Sequence, residues 1–318
     1  MGCSQVHYLG MKKHDFSKTP RRIFFFQIAG FDSSHIGLLK FANWESVPSP
    51  EFENFQCTAQ VWNHNLFHIR PEAYEVFNAQ SNGSLGHEGG CKGLESPPFW
   101  DYLNSKVKFS TVIIEQGASD SESLLRTRDC KDSNWLRNTL YISRGNQSKV
   151  KGMKDFFITH KSRINDTGIL QDTSCNATGC FHSIEKLTMA LKSRWEHSNG
   201  KFSYIFRNYS YAQFLKKSDI KAAAKVLAEI SQTITYLKRE YGSSDTLFLV
   251  SGAKSVHLDF PYQGKSWKNL AKSISSSKSN FLSPLFASGA RAENFCGIYN
   301  SNKIFTRIFW GKKEKKFF

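Results

Sequence analysis

Two histidines four residues apart, His64 and His68, carry the most direct chemical signal in the chain. On a helix that spacing places both imidazoles on one face, where they can share a divalent metal. Asp32 and His35 precede them, and His87 follows, all in turn-like stretches. Asp32, His35, His64 and His68 therefore form one candidate metal set, which would polarise a phosphoryl oxygen or lower the pKa of a bound water. The Glu-x-x-His context that accompanies such sites in metalloproteases is missing. Ser119-Asp-Ser-Glu122 sets hydroxyls beside the carboxylates of Asp120 and Glu122, with no histidine near in sequence to activate them. The stretch Lys265–Lys272 encloses Trp267, a basic-aromatic mixture that could serve single-stranded nucleic acid or glycan but is better read as a solvated helix or loop with one packed Trp. No Walker loop, dinucleotide-binding glycine fingerprint or His-Glu-x-x-His motif occurs, and no specific nucleic-acid motif.

The 318 residues, 40% of them hydrophobic, suffice for a large core. With 43 basic and 27 acidic residues the net charge is +16, which favours anionic partners: a small phosphorylated or sulfated ligand, a sulfated glycan, or an anionic membrane surface. Seven cysteines show no CxxC pair and no zinc-finger spacing. Cys175 and Cys180 bracket a turn-like Asn-Ala-Thr-Gly and could close a local disulfide. Setting Cys3 aside leaves an even six, which suits an oxidising, extracytoplasmic compartment, periplasmic or secreted. Gly2-Cys3-Ser4 resembles the processing point of a bacterial lipoprotein, which would place a lipid anchor on Cys3. No apolar run is long enough to span a bilayer.

These residues need elements to position them. A polar, basic lead-in over 1–21 precedes an apolar run, Arg22–Ile28, that reads as a buried strand ending in a tight turn at Ala29-Gly30. Pro71–Asn78 reads as a helix with proline at its first position, and 81–90 as a glycine-rich loop. Pro97–Leu103 reads as a helix start and Val107–Ile114 as a strand. Residues 126–170 are weakly patterned and read as loops and short elements. Ser183–Lys192 is an amphipathic helix, Phe202–Phe206 a strand, Ile220–Tyr241 the longest helix and Leu247–Val250 a buried strand. Ser273–Ser279 reads as a Ser/Lys loop, and 311–318 as a basic tail. Strands alternating with helices predict an α/β sandwich with a largely parallel sheet.

Two late segments, Asp245-Thr-Leu-Phe-Leu-Val-Ser-Gly-Ala-Lys254 and Pro284-Leu-Phe-Ala-Ser-Gly-Ala-Arg-Ala-Glu-Asn-Phe-Cys-Gly-Ile-Tyr299, resemble the alkaline phosphatase family. In the same order, the β-run before Gly30, Asn82-Gly-Ser-Leu-Gly86, Phe109-Ser-Thr-Val-Ile-Ile114 and Gly200-Lys-Phe-Ser-Tyr-Ile-Phe206 are similar to family segments. The resemblance spans about residues 22–309 and implies a three-layer α/β/α sandwich, alkaline-phosphatase-like, over 22–310. The family uses zinc and magnesium with a serine nucleophile, and its members are often dimeric. Carried over position by position, the resemblance puts the first metal-binding Asp at Ala29 and the nucleophile near Phe67. It puts the metal-binding Glu at Arg207 and the Asp and His after it at Ala212 and Lys216. The second Asp-His pair falls at Ala253-Lys254 and the last His at Lys278.

The resemblance therefore implies a scaffold without its metals or nucleophile, hence no cofactor. Arg207, Lys216, Lys254 and Lys278, with Asp120 and Glu122 kept as polar oxygen groups, would form a ligand site for a phosphate- or sulfate-type anion. Ammonium and guanidinium groups hold an oxyanion as hydrogen-bond donors without activating a nucleophile as zinc does. Three readings stand: an anion-binding pseudoenzyme; a phosphomonoester hydrolase rebuilt on Asp32, His35, His64, His68 or Asp120; and a basic surface protein binding polyanions.

Overall fold

The computed structural model describes residues 19–42, 51–85, 91, 94, 96–130, 134–145, 147–159, 164, 167–176, 179–260, 272 and 274–309. Cys3, His87, Trp267 and the 311–318 tail lie outside them.

A ten-stranded sheet forms the middle layer. Its strands are β1 (Arg22–Ala29), β2 (Cys57–Trp62), β3 (Ser110–Gln116), β4 (Thr139–Arg144), β5 (Met153–Phe156), β6 (Gly168–Asp172), β9 (Phe202–Asn208), β10 (Thr246–Ala253), β13 (Leu282–Gly289) and β14 (Gly297–Asn300). The order is β14-β2-β13-β10-β1-β9-β3-β4-β6-β5. Only β13 runs against the rest. Two small hairpins complete the strands: β7 (Cys175–Asn176) with β8 (Gly179–Cys180), and β11 (Val256–Asp259) with β12 (Ser275–Ser279).

The central strands are apolar on both faces because helices cover both, as expected for parallel strands. In β1, Phe24, Phe26 and Ile28 face one core and Ile23 and Phe25 the other. The first core is closed by α1 (His35–Ala42), α4 (Ile184–Ala190), α5 (Lys192–His197), α6 (Ser210–Lys216) and α7 (Ile220–Tyr241). The second is closed by α3 (Phe99–Tyr102) and α8 (Lys303–Phe309), and α2 (Ala73–Asn82) packs on α8 and β10 and buries its first turns in a small third cluster. Helix α7 forms where expected. Its buried residues, Ile220, Ala223, Ala224, Leu227, Ile230, Ile234 and Leu237, recur at helical spacing, and the Asp219 carboxylate accepts from the Ala222 N–H at 3.0 Å to cap it.

Several boundaries differ from the sequence reading. Helix α2 begins at Ala73, with Glu72 as N-cap and Pro71 outside, and it runs on through Asn82. A single π-turn over Leu103–Val107 takes up the start of the expected strand, so β3 opens at Ser110. The stretch 126–170 contributes β4, β5 and the start of β6. Ser275–Ser279 is a strand, because pairing with β11 satisfies a backbone that its side chains do not mark as β. Cys175–Cys180 closes as expected, alongside Cys57–Cys296 and Cys91–Cys130. Three disulfides fit an oxidising compartment. Among the described residues no helix is long and apolar enough to cross a membrane.

Candidate functional site

Open parallel sheets bind ligands beyond the carboxyl ends of their strands. There β1 ends at Ala29 and β10 at Ala253, directly paired across the ladder. Both belong to a small apolar cluster with Ala73, Val76, Phe77, Ala118 and Tyr209, and Ala212 of α6 packs against it. Gly30 (φ +82°) lets α6 approach, since a side-chain carbon there would lie 3.1 Å from Ala212 Cβ. Three positions that the sequence aligned with metal-binding carboxylates, Ala29, Ala212 and Ala253, thus meet in space as a methyl-lined floor. Tyr209 stacks edge-on to Phe77 at 5.3 Å and donates to the Glu122 carbonyl at 3.3 Å. Burial, reinforced by Glu115, pushes its hydroxyl well above the usual range, so it stays protonated.

Beneath α2 the strand registers align Ser251, Gln27, Arg207, Glu115 and Ser143 in one row. Arg207 has no exposed surface. Its guanidinium donates to Gln27 Oε1 (2.9 Å), Asn78 Oδ1 (3.1 Å), Ser81 Oγ (3.0 Å) and the Phe77 carbonyl (3.4 Å), and lies 3.7 Å from Glu115 Oε1. Glu115 Oε2 accepts from Ser123 Oγ, the Leu124 N–H and Tyr141 OH at 2.7–3.0 Å. Gln80 joins the row through Gln27 (2.8 Å) and Ser251 (3.0 Å). Arg207 is therefore held by protein groups under the floor, where a charge this deep persists because it is paired and hydrogen-bonded.

Lys254 follows Ala253 in a left-handed backbone conformation, φ +50°, a geometry that costs a non-glycine residue about 1–2 kcal/mol. Its ammonium lies 2.5 Å from both carboxylate oxygens of Glu72, at the N-terminus of α2. Glu75 Oε2 accepts from the Glu72 N–H at 2.6 Å, fixing that turn. Arg126, which sequence reading passed over, stacks 4.3 Å above Tyr74 in the same turn of α2. Asn208 Nδ2 and Ser210 Oγ, at the end of β9 and start of α6, are buried without a hydrogen-bond partner. Lys216 is exposed at the far end of α6. Lys278 lies in β12, one residue before Ser279, which pairs with Val256, so its backbone runs beside the segment after Lys254. Three of the four predicted cations divide accordingly: Lys254 stands at the sheet end, Lys216 on the surface, and Arg207 below.

Asp120 is exposed and bound to Ser148; the hydroxyl and N–H of Ser148 hold its carboxyl below the usual range. Glu122 accepts from Ser119 at 2.7 Å. Phe67, at the position aligned with the nucleophile, is half exposed in the loop before α2. His64 and His68 occupy that same non-helical loop, so the helix-face geometry expected of them does not form. His68 bonds Glu75 at 3.0 Å. Asp32 and His35 are buried together: the Asp32 N–H (3.2 Å) and Tyr211 OH (2.8 Å) point to His35 Nδ1, whose Nε2–H donates to the Val256 carbonyl at 2.7 Å. Burial lowers the His35 pKa to about 4, against the opposing pull of Asp32, so the ring is neutral. Asp32, His35, His64 and His68 do not converge, and among the described residues no group of three or more His, Cys, Asp or Glu is arranged to hold a metal ion. The fit to a zinc pair fails on chemistry as well: methyls at Ala29, Ala212 and Ala253 above a guanidinium at Arg207 offer no ligand atoms.

No protein-family model matches the chain, and no curated protein matches it. Solved structures do, and they define the class: the chain has the alkaline-phosphatase-like α/β fold. The alkaline phosphatase of Thermus thermophilus superposes with a TM-score of 0.71 at 11% identity, over 97% of this chain and 95% of that one. The enzyme from the Antarctic bacterium TAB5 gives 0.64 at 14% identity, over 92% and 98%. The lipoteichoic acid synthase LtaP of Listeria monocytogenes gives 0.55 at 12%, over 93% and 73%.

Proposed function

We propose that the chain is a metal-independent, non-hydrolytic protein on the alkaline-phosphatase-like fold, binding a phosphate- or sulfate-type anion at the carboxyl end of its sheet. The observation that carries this reading is the meeting of Ala29, Ala212 and Ala253 in one apolar floor above a sealed Arg207. Lys254 is the primary cation, with Lys216 and Lys278 as outer charges; Asn208 Nδ2 and Ser210 Oγ are unpartnered donors at the end of β9 and the start of α6. Arg207 contributes as the structural cation that keeps the end of β9 in place. Glu72 occupies the anion's position on Lys254 and would be displaced by it.

The test pairs turnover of a generic phosphomonoester, with Zn²⁺ and Mg²⁺ added, with calorimetric titration of inorganic phosphate and sulfate. The expected result is no turnover and saturable anion binding that Lys254→Ala abolishes. Metal-dependent turnover removed by a chelator would overturn the non-hydrolytic reading in favour of a rebuilt site. Polyanion binding untouched by Lys254→Ala would overturn the pocket in favour of a surface function.

A further inference from the structure

A concavity lies between α3 with its π-turn, β14 and α8. Its volume is about 1250 Å³, above the ~300–1,000 Å³ usual for a small-ligand site. Its walls are mainly apolar. Leu103 and Val107 line one side, Ile298 and Tyr299 another, and Phe305 and Phe309 the third. Tyr102 stacks edge-on to Phe309 at 5.2 Å, holding α3 to α8. Ile298, on the edge strand, is 70% exposed, and Trp62 is exposed beside it. Three cations also line the cavity, Arg291, Lys303 and Arg307, while none of its described lining residues is acidic. Arg307 sits over the Tyr299 ring at 3.7 Å and donates from Nη1 to the Asn294 carbonyl, and Arg291 is held by the Ile308 carbonyl and Thr19 Oγ1, both at 3.0 Å. Lys303 is exposed at the start of α8.

An apolar trough of this size with cations and no carboxylate among its described lining residues matches one ligand chemistry. We propose that this groove binds an amphipathic anion with a single long acyl chain, the chain lying along Val107, Ile298 and Phe305 and the head group meeting Lys303 and Arg307. Burying the chain's methylenes supplies affinity, and the cations select an anionic head over a neutral one. This site is independent of Lys254.

The probe is dansyl-undecanoic acid titrated into the full chain, followed by its fluorescence. One saturating site is expected, with the probe displaced by oleate and spared by oleyl alcohol. Lys303→Glu and Ile298→Asp, both at exposed positions, should each weaken binding about tenfold, the worth of one charge-assisted hydrogen bond or a comparable loss of apolar contact. Both should leave the melting temperature and phosphate binding unchanged. Four results would overturn the proposal: no saturation, equal displacement by the alcohol, affinity insensitive to both substitutions, or a dimer in sedimentation that Ile298→Asp converts to monomer, since a second copy would then fill the groove.

Discussion

Lys254 and Glu72 form an ion pair across the mouth of the sheet, joining the end of β10 to the first turn of α2. Their side chains are 28% and 53% exposed. An exposed pair of this kind contributes up to about 1 kcal/mol. The pair therefore restrains Lys254 without locking it, and a dianion at the α2 N-terminus can compete.

Removing the competing carboxylate should strengthen anion binding. Glu72→Gln keeps the shape of the turn and is expected to lower the phosphate Kd about three- to fivefold, the equivalent of that pair. Calorimetry reads this directly. An unchanged Kd would mean that phosphate binds elsewhere.

Introducing an Asp-His pair at the end of β10 should not create a metal site. Ala253→Asp with Lys254→His puts a carboxylate into the cluster of Ala29, Ala73 and Phe77, where nothing compensates it. A loss of about 3 kcal/mol or more is expected in urea denaturation, with no stoichiometric zinc by elemental analysis. Tight zinc binding by this double variant would show that the floor is more adaptable than its packing indicates.

Arg207→Met should cost about 3–5 kcal/mol, because Glu115 is left buried without its cation. The double variant Arg207→Met/Glu115→Gln should recover a good part of that loss. A double-mutant cycle with no coupling would show that the two groups are energetically independent despite their 3.7 Å separation.

Acid should destabilise the fold through His35. Its folded pKa of about 4 lies below the ordinary value of 6.5, so the unfolded chain binds the extra proton between those pH values. Stability is then complete above pH 6.5, declines as pH falls towards 4, and levels off below it, with a total of about 3 kcal/mol. His35→Gln should lower stability at pH 7 and flatten this part of the profile. A wild-type curve that stays level from pH 7 to 4.5 would contradict the buried neutral ring.

The strongly patterned elements were legible in the sequence. Strands β1, β9 and β10 are mainly apolar runs and α7 repeats its apolar residues at helical spacing, so burial agrees with local preference there. Ala29, Ala212 and Ala253, which the resemblance singled out, are distant in the chain and adjacent in the fold. The fate of Arg207 was not legible: it depends on Asn78 and Ser81 of α2 arriving above it, and no local pattern records that meeting. His64 and His68 misled because their spacing suits a helix, whereas the Asn65 side chain accepts from the N–H groups of Phe67 and His68 and shapes a turn instead. Strands β4 to β6 were obscured because polar residues such as Ser143, Arg144, Gln171 and Asp172 find buried partners that only the assembled sheet supplies.

The Cys57–Cys296 bond joins residues 239 positions apart. Covalently, the oxidised protein contains a closed ring from Cys57 to Cys296. A single protease cut between these cysteines leaves one molecule of unchanged mass apart from an added water, and only reduction releases two pieces. In an oxidising compartment such a ring can outlast damage to its own backbone.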